Sequence, residues 1–297
     1  MTLYRFKTFR TSYFFPDRSK DVEFVYNIYH PFGGGLSKVY WWLFKKSKFV
    51  RLCNMVRKPE HFFPYKEIIS LLPDESIVSF NMGTPGLEQK ISMLGLDADG
   101  RRFFAKYSSK PRTIQMSLNE INVLRSLEGT GLSPILFDYR TGNDYVFFRT
   151  SYVEGDPLST IGISDKITDL ALLLSHYNIE GIVERNGLKY CLSHGDFTPW
   201  NILVVDGRYK LIDWELAADR PLGYDLFLYV SHFVAAEQLK NEYINAREYI
   251  DRYFAHHNVK DWQPYLISFA KLKANAEYEK GENKRAEFYE QILNFKM

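Results

Sequence analysis

This sequence has little cysteine, no excess of one charge and no long apolar run. Only Cys53 and Cys191 occur among 297 residues. That is too few for a disulfide framework, and their spacing is not that of a metal site. A reducing, cytoplasmic setting is expected. Lys and Arg number 38 against 36 Asp and Glu, so the charge balance gives no reason to expect nucleic acid as a partner. No run approaches the roughly 18 apolar residues a membrane-spanning helix needs. Residues 1–12 (MTLYRFKTFRTS) lack the apolar stretch and small-residue cleavage site of a secretory leader. No internal repeat or low-complexity tract is visible.

Aromatic residues are plentiful: 23 Phe, 21 Tyr and 5 Trp, or 16% of the chain. Their first use is to fill a core; stacking on a ligand is the second. With 45% hydrophobic and 25% charged residues, the composition is that of a folded globular protein. The length predicts two domains or lobes.

Charge is unevenly spread. Residues 1–60 hold 12 Lys and Arg against 4 Asp and Glu. The basic part centres on Leu36–Lys58, after a Gly33-Gly34-Gly35 break. Leu36, Val39, Tyr40, Leu43 and Phe44 recur at helical spacing, punctuated by Lys45, Lys46, Lys48 and Arg51. Such a segment either lies on an anionic membrane surface or packs its apolar face on the protein while its lysines snorkel outward. The breadth of the apolar face favours packing, so peripheral membrane contact by residues 36–58 is the lesser expectation.

From residue 76 the pattern reads strand, strand, strand, helix, strand, strand. The strands are 75–81, 89–94, 102–107, 135–139 and 145–150, and the helix is 114–127. Asp99-Gly100 and Gly83-Thr84-Pro85-Gly86 mark turns. Beyond Tyr152 the chain is mostly helical, with helices predicted over 165–177, 226–254 and 262–295. The predicted organisation is a 1–75 N-terminal extension, a sheet-rich lobe over 76–152 and a helical lobe over 153–297.

The strongest chemical signal is Leu192–Leu203, LSHGDFTPWNIL. Asn201 follows Asp196 by five residues, and Asp213 lies 12 residues further, in LIDWE. Between them, 202–205 and 209–212 read as a hairpin with Asp206-Gly207 at its turn, which returns Asp213 towards Asn201 and Asp196. Asp213 and the Asn201 side-chain oxygen suit Mg²⁺, which prefers hard oxygen ligands. A second carboxylate, Asp196, can accept a proton from an attacking hydroxyl.

His-Gly-Asp-x4-Asn followed by Ile-Asp-Trp resembles the catalytic and metal loops of the aminoglycoside phosphotransferase and choline kinase-like superfamily, small-molecule relatives of the protein kinases. Protein kinases use His-Arg-Asp with the same Asp-x4-Asn spacing. The resemblance covers residues 76–297. It implies an α+β, protein-kinase-like two-lobe fold, with an antiparallel-sheet N-lobe, a mainly helical C-lobe and an extra N-terminal segment. It also implies ATP and Mg as cofactors and a small-molecule hydroxyl as acceptor.

By the same resemblance, Lys106 on the third strand grips the ATP phosphates and Glu120 on the helix pairs with it. The Gly83-Thr84 turn covers the phosphates, although it lacks the usual glycine pattern. Backbone groups at Tyr152 and Val153 meet adenine. Asp225, in Pro-Leu-Gly-Tyr-Asp-Leu, holds the catalytic-loop amides, and His194 supports that loop from below.

The acceptor classes expected are a sugar or glycan precursor, or an amino alcohol such as choline. An aminoglycoside kinase is the alternative, weakened because residues 258–297 hold 7 Lys and Arg against 6 Asp and Glu and so offer no acidic pocket for a polycation. A catalytically inactive kinase-fold binding protein is a further alternative. It is disfavoured because Lys106, Asp196, Asn201 and Asp213 are all present.

Overall fold

Side-chain alternation in the first 16 residues builds two faces of one sheet. In the computed structural model, β1 (Leu3–Lys7) pairs antiparallel with β2 (Ser12–Pro16). Leu3 and Phe14 enter the core on one face, and Tyr4, Phe6 and Phe15 enter it on the other, as the period of two requires. The structure describes all residues except 1, 18–21, 32–34, 159–161, 233 and 296–297. Gly33 and Gly34 of the predicted break thus lie outside the described residues. Two units are resolved: Met1–Glu128 with Pro134–Tyr152, and Gly129–Ser133 with Val153–Met297.

In the first unit, α1 (Gly35–Lys46) and α2 (Lys48–Cys53) lead to β3 (Met55–Val56) and α3 (Tyr65–Leu71). Then come β4 (Ile77–Asn81), β5 (Ile91–Leu96), β6 (Arg102–Ser108), α4 (Pro111–Ser126), β7 (Leu136–Thr141) and β8 (Val146–Ser151). All eight strands form one antiparallel sheet in the order β3-β1-β2-β4-β5-β6-β8-β7. The five strands read from residue 76 onward are therefore extended at one edge by three strands from the first 56 residues.

Aromatics fill both faces of this sheet. On one, Phe14, Phe63, Phe80, Phe103 and Phe147 join Ile68 of α3. On the other, Phe6 is ringed by Tyr29, Tyr40, Trp41 and Phe44 at centroid distances of 4.9, 5.0, 5.0 and 5.1 Å. The face of α1 that packs is thus Trp41 and Phe44. Leu36, Val39 and Leu43, which the spacing placed on a packed face, are exposed instead.

The second unit holds β9 (Asp156–Pro157), α5 (Asp165–Leu174), β10 (Glu184–Arg185), β11 (Leu188–Ser193), β12 (Ile202–Val205), β13 (Arg208–Leu211) and β14 (Ala218–Pro221). They are followed by α6 (Tyr224–Ser231), α7 (Leu239–Asn245), α8 (Arg247–His256), α9 (Gln263–Glu279) and α10 (Asn283–Glu290).

The long helix predicted over 226–254 is three helices. The cause is tertiary: the buried Tyr243 hydroxyl donates to the Phe227 carbonyl at 3.0 Å and meets the Ser231 hydroxyl at 2.8 Å. Residues 16 apart on one straight helix lie about 24 Å apart, so the chain must fold back to make these bonds. The helix predicted over 262–295 breaks at Gly281, whose φ of 78° is left-handed and closes α9 in the manner of a glycine C-cap. Tyr289 of α10 returns edge-on to Phe269, 5.8 Å away.

Candidate active site

Each unit carries a cluster of polar residues in an otherwise apolar setting. In the first, Lys106 lies on β6 between its partners Ser92 and Phe148. Its Nζ donates to Glu120 Oε2 of α4 at 2.6 Å, and both side chains are buried. Buried charges of this kind persist only when paired. The predicted Lys–Glu partnership is therefore present as a direct ion pair.

The turn after β4 is tied to itself. The Gly83 N–H donates to Asn81 Oδ1 at 3.0 Å, so this amide is already engaged. Gln89 donates to the Met82 carbonyl at 3.1 Å, and Lys110 Nζ to the Gly86 carbonyl at 2.6 Å. Thr84 is exposed. After β8, the Tyr152 N–H reaches the Arg102 carbonyl at 3.4 Å and its ring meets Phe24 edge-on at 4.8 Å. Val153 is half-buried.

In the second unit β11 runs into the His194–Asn201 loop. The buried carboxylate of Asp225, in the first turn of α6, collects three donors from the loop: Ser193 Oγ at 2.7 Å, the His194 N–H at 2.6 Å and the Gly195 N–H at 3.0 Å. Charge-assisted bonds of this type are roughly twice as strong as neutral ones. They make Asp225 the anchor of the loop.

His194 is fully buried. Its Nδ1 accepts from the Asp196 N–H at 3.3 Å, so its Nε2 carries the proton and donates to the Ile212 carbonyl at 3.0 Å. Its ring rests on Trp214, 4.6 Å between centroids. It links the His194–Asn201 loop to Ile212, the residue before Asp213.

Gly195 explains the departure from His-Arg-Asp. Its φ is 80°, and a Cβ there would fall 2.2 Å from the Leu216 carbonyl oxygen and 2.4 Å from Arg220 Nη1. The space is taken by Arg220, which donates to the Leu216 carbonyl at 2.8 Å and lies over the Tyr224 ring at 4.5 Å. Nothing in the spacing of the sequence marks Arg220 as part of this scaffold.

Asn201 sits in a single helical turn, Pro199–Asn201. Its Nδ2 donates to Asp196 Oδ2 at 2.8 Å and to the Asp196 carbonyl at 3.0 Å. The β12–β13 hairpin then returns the chain, and the Ile212 N–H bonds the Asn201 carbonyl at 3.0 Å. Asp213 follows directly, in a left-handed conformation with φ 67°. Non-glycine residues seldom adopt this conformation, and it clusters at functional sites. The structure thus bonds Asn201 to Asp196 and places Asp213 one residue beyond the Ile212–Asn201 backbone bond.

Two neighbours were not singled out from the sequence. Trp200, within the loop, meets His232 edge-on at 4.6 Å and is half exposed. Burial holds the His232 imidazole below its ordinary pKa, against the pull of the Asp196 carboxylate nearby. Trp200 could have been noted from its place between Asp196 and Asn201. His232, at the end of α6, gives no sequence signal.

Comparison with known proteins finds similarity in this part of the chain and in the fold. Residues 169–265 match the phosphotransferase enzyme family (APH). A serine/threonine-protein kinase MPS1 of Encephalitozoon cuniculi (strain GB-M1) is 32% identical over 108 residues, which cover 34% of this chain and 17% of that protein. The chain therefore spans about a sixth of that curated relative. The solved structure of amicoumacin kinase hAmiN, in complex with AMP-PNP, Ca²⁺ and Ami, superposes with a TM-score of 0.51 at 11% identity. That match covers 80% of this chain and 95% of the kinase, and it establishes a kinase-like α+β two-lobe fold. In its 169–265 segment and in its fold, the chain resembles the aminoglycoside phosphotransferase and choline kinase-like superfamily.

Proposed function

We propose that this chain is an ATP- and Mg-dependent phosphotransferase that moves a γ-phosphoryl group to a hydroxyl of a small molecule. The observation that carries the reading is the Asp196–Asn201 pair, with the Ile212 N–H anchored on Asn201. One carboxylate is oriented by an amide, and a second is delivered one residue beyond the anchor.

The donor set fits a hard divalent cation. The Asn201 amide nitrogen is committed to Asp196, which leaves Oδ1 as its ligand atom, and Asp213 supplies carboxylate oxygens. Bound there, Mg neutralises charge on the phosphates. Asp196 accepts the proton of the acceptor hydroxyl. The acceptor oxygen bonds to the γ-phosphorus as the bond to the β–γ bridging oxygen breaks, and ADP leaves. Lys106, held by Glu120, grips the α- and β-phosphates. The Gly83-Thr84 turn covers them, with Thr84 able to donate its hydroxyl, and backbone groups at Tyr152 and Val153 meet adenine.

The aromatic pair Trp200 and His232 beside Asp196 supports a sugar or glycan precursor, or an amino alcohol such as choline. A half-exposed indole can stack on a sugar ring or take a quaternary ammonium by cation–π contact. The test is ADP release from Mg·ATP against pooled sugars and nucleosides, amino alcohols, and aminoglycosides, with Asp196→Ala as control. Stimulation by one of the first two pools in wild type alone supports the reading. Equal turnover in Asp196→Ala overturns it.

A further inference from the structure

We infer that the outward face of α1 and α2 docks the protein on the surface of an anionic lipid bilayer. The two faces of α1 were not distinguishable from spacing alone. At about 100° per residue, Trp41 and Phe44 point one way, and both are buried against Phe6 and Phe15. Trp42, Val39, Leu43 and Leu36 fall in an arc of roughly 120° on the opposite side. Leu36 is 88% exposed, Trp42 57% and Val39 55%. An apolar helix face turned to water is the reverse of what a surface helix normally shows.

The patch continues into α2. Phe49 and Leu52, three residues apart and so on one side of that helix, are 75% and 47% exposed. Clusters of large exposed apolar residues of this kind mark interaction surfaces. Leu36–Lys58 contains no acidic residue. Lys38, Lys46, Lys48, Arg57 and Lys58 are exposed around the patch.

Charge decides the occupant. An apolar face with Trp and Tyr near its rim and lysines at its border matches the interfacial layer of a membrane, where aromatic rings sit at headgroup depth and nearby Lys and Arg are attracted to an anionic surface. Among the described residues no helix is long and apolar enough to cross a membrane, so the contact is interfacial. The packed face also explains why the patch stays presented. Trp41 and Phe44 fix α1 on β1 and β2 and leave the other side no core to enter.

The test is sedimentation of the full chain with phosphatidylcholine vesicles, with and without phosphatidylglycerol. Binding is expected only to the anionic vesicles and should weaken as salt rises. Brominated lipid should quench wild-type tryptophan emission more than that of Trp42→Phe. Trp42→Ser/Phe49→Ser and Lys46→Glu/Lys48→Glu should each weaken binding at least tenfold. These side chains are exposed, so both variants should keep wild-type circular dichroism and thermal midpoint. No sedimentation with anionic vesicles overturns the proposal, as does equal binding to neutral ones or wild-type binding by the variants. Self-association that is lost in Trp42→Ser/Phe49→Ser, without vesicle binding, assigns the patch to a second copy and also overturns it. None of these readouts requires turnover, so they stand or fall separately from the phosphotransferase reading.

Discussion

Asn201 Nδ2 donates to Asp196 Oδ2 at 2.8 Å, and that bond orients both ends of the amide. The nitrogen faces the carboxylate to which we assign the substrate proton. The oxygen is thereby left as the acceptor end of the side chain. In the proposed function one side chain serves both the base and the metal, because a carboxamide has a donor end and an acceptor end.

Asp196→Asn keeps the shape and removes the base. Turnover should fall about 10²- to 10⁴-fold, with little change in thermal midpoint. Asn201→Asp keeps an oxygen for the metal but sets carboxylate against carboxylate. It should raise the Mg requirement and shift the acid limb of the pH–rate profile. Steady-state kinetics over a range of Mg concentrations and pH checks both.

The Lys106–Glu120 pair separates stability from function. Lys106→Met strands a buried carboxylate and should destabilise the fold by about 3 kcal/mol. Lys106→Met/Glu120→Gln removes both charges and should recover part of that loss while remaining inactive with ATP. Urea unfolding and ADP release measured on the same samples distinguish the two effects. A double variant no more stable than Lys106→Met would mean the pair is not the source of the cost.

Gly195→Ala and Asp225→Ala attack the loop from two sides. The first places a methyl 2.2 Å from a backbone oxygen at φ 80°. The second strands three donors, two of them backbone amides. Each should cost about 3 kcal/mol and suppress turnover, even though neither residue touches substrate. Denaturant titration reads the first effect and kinetics the second.

His257 gives the stability a pH dependence in acid. Burial lowers its pKa to about 4, helped by His256, His176 and Lys189. The native imidazole stays neutral where the unfolded one, with the ordinary value of 6.5, takes up a proton. Stability should therefore be lost as pH falls from about 6.5 towards 4 and level off below. Water screens this half-buried ring, so the effect should be of order 1 kcal/mol. His257→Gln should flatten the thermal-midpoint profile in that window.

Much of the second unit's candidate site was legible in one stretch of sequence. The His-Gly-Asp-x4-Asn spacing and the short hairpin to Asp213 are local, and local turn geometry largely dictates where such residues meet. The contacts of His232 and Arg220 were not legible, because each meets the loop from just after or just before α6, across the fold. The break of residues 226–254 into three helices was hidden for the same reason. No proline or glycine marks it, and the bonds of Tyr243 to Phe227 and Ser231 that fold α7 back on α6 are made across the chain.

The sequence by itself determined the succession of strands and helix along the chain from residue 76, the helix that carries Glu120, the loop of Asp196 and Asn201, and the basic, aromatic character of residues 36–58. These follow from period, turn chemistry and motif spacing, which act over a few residues. Tertiary structure decided which face of α1 is buried and how many strands the sheet has. It also decided that Gly195 must lack a side chain because Arg220 and Leu216 occupy its space. These depend on neighbours remote in the chain, and a helix with apolar residues on both sides cannot declare its inward face until a partner such as Phe6 is in place.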